Sequence, residues 1–290
     1  MDFKLQLLEA ITDNFSEEQK LGSGDYGEVY RAVLDNGEYI ALKKLHQLQG
    51  LDDKQFRSGF RDLVRVSHKN VVRLIGYCHE SRKKYVEHKG ELTLAKITER
   101  VLCFEYMHGG SFDKHIADES CELDWPICYK IIKGTCEGLN HLHTKQEKPI
   151  FHLDLKPSNI LLDESMTPKI SDLGLSILVS STKTHETEIL RGTHGYMPPE
   201  YVDTGFISNK FDVFSLGAII IKLMAGNMGY SRCFEMSPKD FIQHVSDNCT
   251  KRLHAMPGYS PYEIDILRVS TCVEIALRCV DEDREKRPCI

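Results

Sequence analysis

The sequence predicts an α+β fold of two lobes, the first rich in strands and the second helical. Three observations predict it. Over the first 110 residues, apolar positions come in short runs bounded by turn residues. After His108-Gly109-Gly110 they recur instead at helical spacing. The length, 290 residues, suits one large domain or two lobes.

The elements follow in order. Residues 1–15 form a lead-in, 16–107 the first lobe and 108–290 the second. Tyr39–Leu45 is a short apolar strand, with Val33 and Leu34 before it. Asp35-Asn36-Gly37 between them is a strong hairpin turn. Residues 52–66 place Phe56, Phe60, Leu63 and Val64 at helical spacing. Strands are predicted at 71–78 and 101–106, with a charged surface hairpin over 80–100. In the second lobe, residues 125–143 carry Ile127, Ile131, Ile132, Cys136, Leu139 and Leu142 on one helical stripe. Residues 211–224 are apolar nearly throughout, so that helix should be buried all round. Residues 262–279 form a further helix.

Composition narrows the function. Thirty-seven basic against 43 acidic residues leave a charge of −6, the wrong sign for general nucleic-acid binding. With 41% hydrophobic and 28% charged residues, disorder, collagen and coiled coil are excluded as overall descriptions. No apolar run approaches the ~18 residues of a membrane span. The first ten residues carry Asp2, Lys4 and Glu9 and lack a signal-peptide core, so a soluble chain is expected. Ten cysteines without a C-x-x-C pair read as reduced thiols. Thirteen histidines without H-E-x-x-H give no Cys/His metal centre.

Chemistry concentrates in a few phrases. Leu21-Gly22-Ser23-Gly24-Asp25-Tyr26-Gly27-Glu28-Val29 holds G-x-G-x-x-G-x-V. Its glycines let backbone approach phosphate oxygens and adopt positive φ. Strand signals flank it on both sides, unlike a dinucleotide-binding loop, which opens a helix. Sixteen residues past Gly27 stands Lys43, in Ile40-Ala41-Leu42-Lys43. Alone it would read as an edge-strand lysine. Behind a glycine loop it reads as a cation awaiting an anion. In Phe151-His152-Leu153-Asp154-Leu155-Lys156-Pro157-Ser158-Asn159, a base, a cation and a metal-binding amide fall within six residues. Asp172-Leu173-Gly174 follows, then Gly192-Thr193 and Tyr196-Met197-Pro198-Pro199-Glu200.

In this order and spacing, the phrases resemble the eukaryotic protein kinases over nearly the whole chain. Ile11-Thr12-Asp13-Asn14-Phe15-Ser16, Leu74-Ile75-Gly76-Tyr77-Cys78 and Arg278-Cys279-Val280 are similar to plant receptor-like kinases in particular. The resemblance implies a bilobal protein-kinase-like fold and an ATP-dependent serine/threonine kinase of receptor-type signalling. Gly22, Gly24 and Gly27 would cover the ATP phosphates, with Lys43 holding the α- and β-phosphates. Asn159 and Asp172 would bind Mg²⁺, and Asp154 would take or orient the substrate hydroxyl. Lys156 marks the serine/threonine pattern, paired with Thr193. Adenine would lie between Val29 and Ala41 on one side and Leu161 on the other. Phe104 would be the gatekeeper and Glu105 to Met107 the hinge. Protein substrates are implied, as is a cytoplasmic site of action, free or beside a receptor complex at the inner face of the plasma membrane.

Departures from the family pattern qualify this. Its small-lobe helix carries a glutamate that pairs with the strand lysine. Here Gly59 stands in that place, with Asp62 one turn on. A second reading follows: a catalytically impaired pseudokinase serving as a nucleotide-binding scaffold. A small-molecule kinase is disfavoured by the intact 192–201 phrase. His152-Leu153-Asp154 lacks the arginine that clamps a phosphorylated loop. Leu173 replaces a packing phenylalanine, and Asp25 a glycine at the loop tip. The family continues with a final helix after the arginine matching Arg287, whereas the sequence stops at Ile290. A truncated last helix, a frayed Arg287 and an uncertain pairing with Glu200 are expected.

Overall fold

The structure, a computed structural model, describes residues 1–24, 26–46, 56, 60, 63–88, 91–117, 125–173, 192–226, 229–255 and 263–290. Gly59, Asp62, Asp25, Gly174 and the loop hydroxyls from Ser180 to Thr187 lie outside them. The chain divides into two compact units. One comprises Met1–Ser67 and Val72–His108, the other His68–Val71 and Gly109–Ile290.

The first unit is an antiparallel five-stranded sheet. Its strands are β1 (Lys20–Gly24), β2 (Gly27–Val33), β3 (Tyr39–Leu45), β4 (Leu74–His88) and β5 (Glu91–Glu105), in the order β1-β2-β3-β5-β4. The β2–β3 turn closes as the sequence predicts, with Gly37 at φ +83°, where a side chain would be strained. Period-two alternation sorts β3. Ile40 and Leu42 are fully buried and join Tyr30, Ala32, Val101 and Cys103 in one apolar cluster. Ala41 and Lys43 therefore point to the other face, where register pairs Lys43 with Val29 and Leu102, and Ala41 with Phe104.

The surface hairpin predicted over 80–100 is present as the outer part of one long two-stranded ribbon. β4 and β5 pair from Leu74↔Phe104 out to His88↔Glu91, while β3 reaches only Val101–Glu105 of β5. Beyond that point the ribbon pairs with itself. Residues 1–15 pack onto this unit. Helix α1 (Leu5–Ile11) buries Leu5 and Leu8 in the apolar cluster, and Phe3 N–H bonds Tyr77 O at 2.8 Å. Phe56, Phe60 and residues 63–65 are helical, in line with the predicted spacing.

The second unit is helical around a small sheet of β6 (Gly110–Ser111), β7 (Ile160–Leu162) and β8 (Pro168–Ile170). Its helices are α2 (Phe112–Ala117), α3 (Trp125–Thr144), α4 (Pro199–Thr204), α5 (Lys210–Ala225), α6 (Gly229–Glu235), α7 (Pro238–Ala255) and α8 (Glu263–Cys279). As predicted, α5 is buried almost all round, Asp212 and Ser215 included. Segment 68–71 lies against α3 because Gly134 and Gly138 carry no Cβ. A methyl at Gly134 would stand 2.6 Å from Asn70 Nδ2, and one at Gly138 2.7 Å from Asn70 O. Among the described residues no single helix is long and apolar enough to cross a membrane.

The expected fraying at the C-terminus is not observed. Arg287 is 2% exposed and forks onto Glu200 at 2.7 and 2.8 Å. Its Nε donates to Asp281 O at 2.8 Å, and its guanidinium lies 5.0 Å from the Phe214 ring centroid. Lys210 Nζ donates to Arg287 O at 2.7 Å and holds the terminal backbone. These contacts anchor Arg287.

Candidate active site

Asp154, Lys156, Asn159 and Thr193 meet in one hydrogen-bonded cluster. Asp154 Oδ1 accepts from Thr193 Oγ1 at 2.7 Å. Its Oδ2 faces Lys156 Nζ at 3.0 Å and accepts from Asn159 Nδ2 at 3.2 Å. Lys156 Nζ also donates to Thr193 Oγ1 at 2.7 Å. Thr193 thus accepts from the lysine and donates to the carboxylate, which fixes its hydroxyl rotor. Asn159 Nδ2 donates to Asp154 O as well, at 2.8 Å. Two acceptors on one amide nitrogen settle which end of the amide is which. The amide oxygen is left to turn elsewhere.

Local folding makes this possible. A short 3₁₀ turn, Pro157–Asn159, with proline at its start, brings Asn159 back beneath Asp154. Leu153 adopts φ +64°, an uncommon conformation for a branched side chain. It is held there by burial beside Tyr201 and Phe211, with Phe151 and Met197 around them. Asp212 completes the hold. Fully buried at 0% exposure, it accepts from His152 N–H at 2.7 Å, Leu153 N–H at 2.9 Å and His143 Nε2 at 2.7 Å. Burial alone would push its carboxyl up. The bond from His143 and the His152 amide outweigh that and hold it below the usual aspartate range. His152 Nδ1 accepts the Asp154 amide at 3.2 Å, so its proton sits on Nε2, which donates to Ser171 O at 2.8 Å. Ser171 in turn bonds Asn159 O through N–H and Oγ, at 2.8 and 3.0 Å. Asp172 follows at φ +62°, a second left-handed residue beside the cluster.

The other residues singled out from sequence fall as follows. Leu161 is on β7, half-buried. Val29, Ala41 and Lys43 share one face of the first unit's sheet, as their register requires. Lys43 is 9% exposed, with Nζ 6.0 Å from the Tyr26 ring centroid. Glu105 closes β5, its carboxylate accepting the Arg73 amide at 2.7 Å, and Met107 is buried just beyond. Gly22, Gly24 and Gly27 line β1 and β2, but none has the positive φ that the sequence reading invoked. Gly27 is needed for close approach instead, since a Cβ there would collide with the Lys44 carbonyl. A Cβ on Gly22 or Gly24 would meet nothing within 4 Å, which leaves bare backbone facing open space.

These features fit a nucleotide and a hard cation. Bare, exposed glycine backbone on β1 allows the close approach that phosphate oxygens need. The Asn159 amide oxygen and the Asp172 carboxylate are hard oxygen donors of the kind Mg²⁺ takes. His143, Asp212 and Ser171 were not assigned site roles from sequence. Their partners lie 12 to 69 positions away, and no local pattern joins them.

The protein kinase domain family matches residues 15–290. Over 303 residues the chain is 38% identical to cysteine-rich receptor-like protein kinase 26 of Arabidopsis thaliana, covering 99% of this chain and 42% of that protein. It is 34% identical to a G-type lectin S-receptor-like serine/threonine-protein kinase of the same plant, covering 99% and 34%. The chain thus spans about two fifths of the length of these relatives or less. Among solved structures, it is similar to the pseudokinase domain of BIR2, an immune regulator of the RLK/Pelle family. The TM-score is 0.71 at 27% identity, covering 99% of this chain and 82% of that one.

Proposed function

The chain belongs to the protein kinase family, in its plant receptor-like branch, and from that premise we propose that it transfers the γ-phosphate of ATP to serine and threonine hydroxyls of protein substrates. The observation that carries this reading is the Asp154–Lys156–Thr193 cluster. Asp154 presents a carboxylate whose two oxygens are already oriented, by Thr193 on one side and by Lys156 and Asn159 on the other. An incoming hydroxyl is aligned by that carboxylate and gives its proton toward it as the oxygen attacks. Lys156 supplies a fixed positive charge where negative charge gathers on the transferring group. Lys43 holds the α- and β-phosphates, and the bare backbone of Gly22 and Gly24 covers them. Glu105 and Met107 meet the adenine edge, while Val29, Ala41 and Leu161 flank its faces. Asn159 and Asp172 would hold Mg²⁺, and the ion would supply positive charge against the phosphates. The same reading places the chain in the cytoplasm, free or beside a receptor complex at the inner face of the plasma membrane.

Lys156→Met and Thr193→Val test the cluster. Each should lower the single-turnover transfer rate at least 100-fold, about 2.7 kcal/mol of transition-state stabilisation, with the melting temperature within a few degrees of wild type. Rates within threefold of wild type would remove the argument.

A second reading, an impaired kinase that binds nucleotide and partners, is favoured by Gly59 in place of the family's glutamate. The likeness to a pseudokinase domain points the same way. On this reading Gly59→Glu raises transfer, by restoring a carboxylate toward Lys43. An unchanged rate in that variant would eliminate it.

A further inference from the structure

Segment 192–201 and helix α5 bring a lysine ammonium against aromatic rings. Lys222 Nζ stands 3.9 Å from the centroid of the Tyr196 ring and 5.8 Å from that of Tyr230. The side chain is half-buried, and burial pushes its ammonium below the usual lysine range. Among the described residues no carboxylate lies within ion-pair distance of it. Asp113, at the start of α2, comes near enough to act with burial in raising the Tyr196 phenol, and its Oδ1 is itself buried without a hydrogen-bond partner. A desolvated ammonium on an aromatic face regains only part of its lost hydration. The remainder is available to an anion that reaches it.

The position of this cation relates it to the transfer site. Ser215 Oγ fixes the Tyr196 carbonyl at 2.7 Å. Tyr196 N–H closes a turn onto Thr193 O at 3.1 Å, and the Thr193 hydroxyl is the one that bonds Asp154. Such a turn keeps its first and last Cα atoms within about 7 Å. An extended peptide advances about 3.3 Å per residue. A side chain reaching Lys222 would therefore sit about two to four residues from a hydroxyl held at Asp154.

We propose that Lys222, backed by Tyr196 and Tyr230, recognises an anionic side chain of the polypeptide substrate, a carboxylate or a phosphorylated residue, about two to four positions from the acceptor hydroxyl. This rests on the phosphoryl-transfer reading and adds a substrate preference to it.

The test uses the full chain and its Asp154→Asn form. Serine peptides carry Asp, phosphoserine, Ala or Lys at each flanking position. Binding is read by fluorescence anisotropy, and transfer rate is measured on the same peptides. At one position the anionic peptides should bind about tenfold more tightly than the alanine peptide. The Asp and phosphoserine arms identify which anion is preferred. Lys222→Arg should keep the preference, Lys222→Met should abolish it, and Lys222→Glu should turn it toward the lysine peptide. Equal binding of anionic and alanine peptides would overturn the proposal. So would a preference that survives in Lys222→Met. Transfer no greater than the Asp154→Asn level, with the Lys222-dependent preference intact, would sink the kinase reading and leave the recognition site standing.

Discussion

Asp212 sets the geometry of the site without facing it. It takes three hydrogen bonds in full burial, and two of them pin the backbone that aims Asp154. Asp212→Ala leaves those donors stranded. Unfolding in urea should show a loss of about 3–5 kcal/mol. Its pH dependence has a definite sign. The folded carboxyl titrates below its unfolded value of about 3.9, so the folded state binds the proton less readily than the unfolded state. The contribution is complete above that pH and fades as pH falls further. The urea midpoint of wild type should therefore drop more steeply below pH 4 than that of Asp212→Ala. Parallel curves would contradict this. Leu153 carries the other prediction at this scale. Its side chain lies in an apolar cluster with Tyr201 and Phe211, so it offers no cation to a phosphate. Phosphatase treatment of loop-phosphorylated protein should change the transfer rate less than about twofold through this position. A tenfold fall would contradict it.

At the scale of elements, local pattern and distant partners separate cleanly. The cluster of Asp154, Lys156 and Asn159 was legible because one short loop supplies all three. The buried helix α5 was legible because its sequence is apolar on every side. Helix α1 was not, since seven residues are too short for periodicity to stand out, and its stability comes from Leu5 and Leu8 entering a core built by strands far along the chain. Leu8→Ala should cost about 2–5 kcal/mol in denaturant unfolding, and under 1 kcal/mol would mean that α1 is only draped on the sheet. Lys222 escaped notice for the same reason as His143. A lysine in an apolar helix looks like a surface residue until the ring beneath it is seen. The outer part of the β4–β5 ribbon is the converse case, legible from its charges alone. Its Tyr85 and Leu92 are 68% and 75% exposed, and its backbone ladder there joins β4 to β5 beyond the reach of β3.

Across the whole molecule, the proposed roles divide by unit: Lys43 and the glycine backbone belong to the first, and Asp154, Lys156, Asn159 and Asp172 to the second. The C-terminus belongs to that second framework. Arg287 was expected to fray because sequence shows only how near it lies to the last residue. The structure adds Glu200, two backbone carbonyls and the Phe214 ring around it. Glu200→Ala leaves a buried guanidinium without its carboxylate and should cost about 3–5 kcal/mol in unfolding free energy. A loss under 1 kcal/mol would mean that the terminus is held by its backbone alone. The central claim is that this framework transfers phosphate. The measurement that tests it most directly is transfer of labelled γ-phosphate from ATP with magnesium, to the chain itself and to a generic serine/threonine substrate, with Asp154→Asn as the blank. The account predicts transfer well above that blank. Transfer equal to it, in protein that unfolds cooperatively, would contradict the claim.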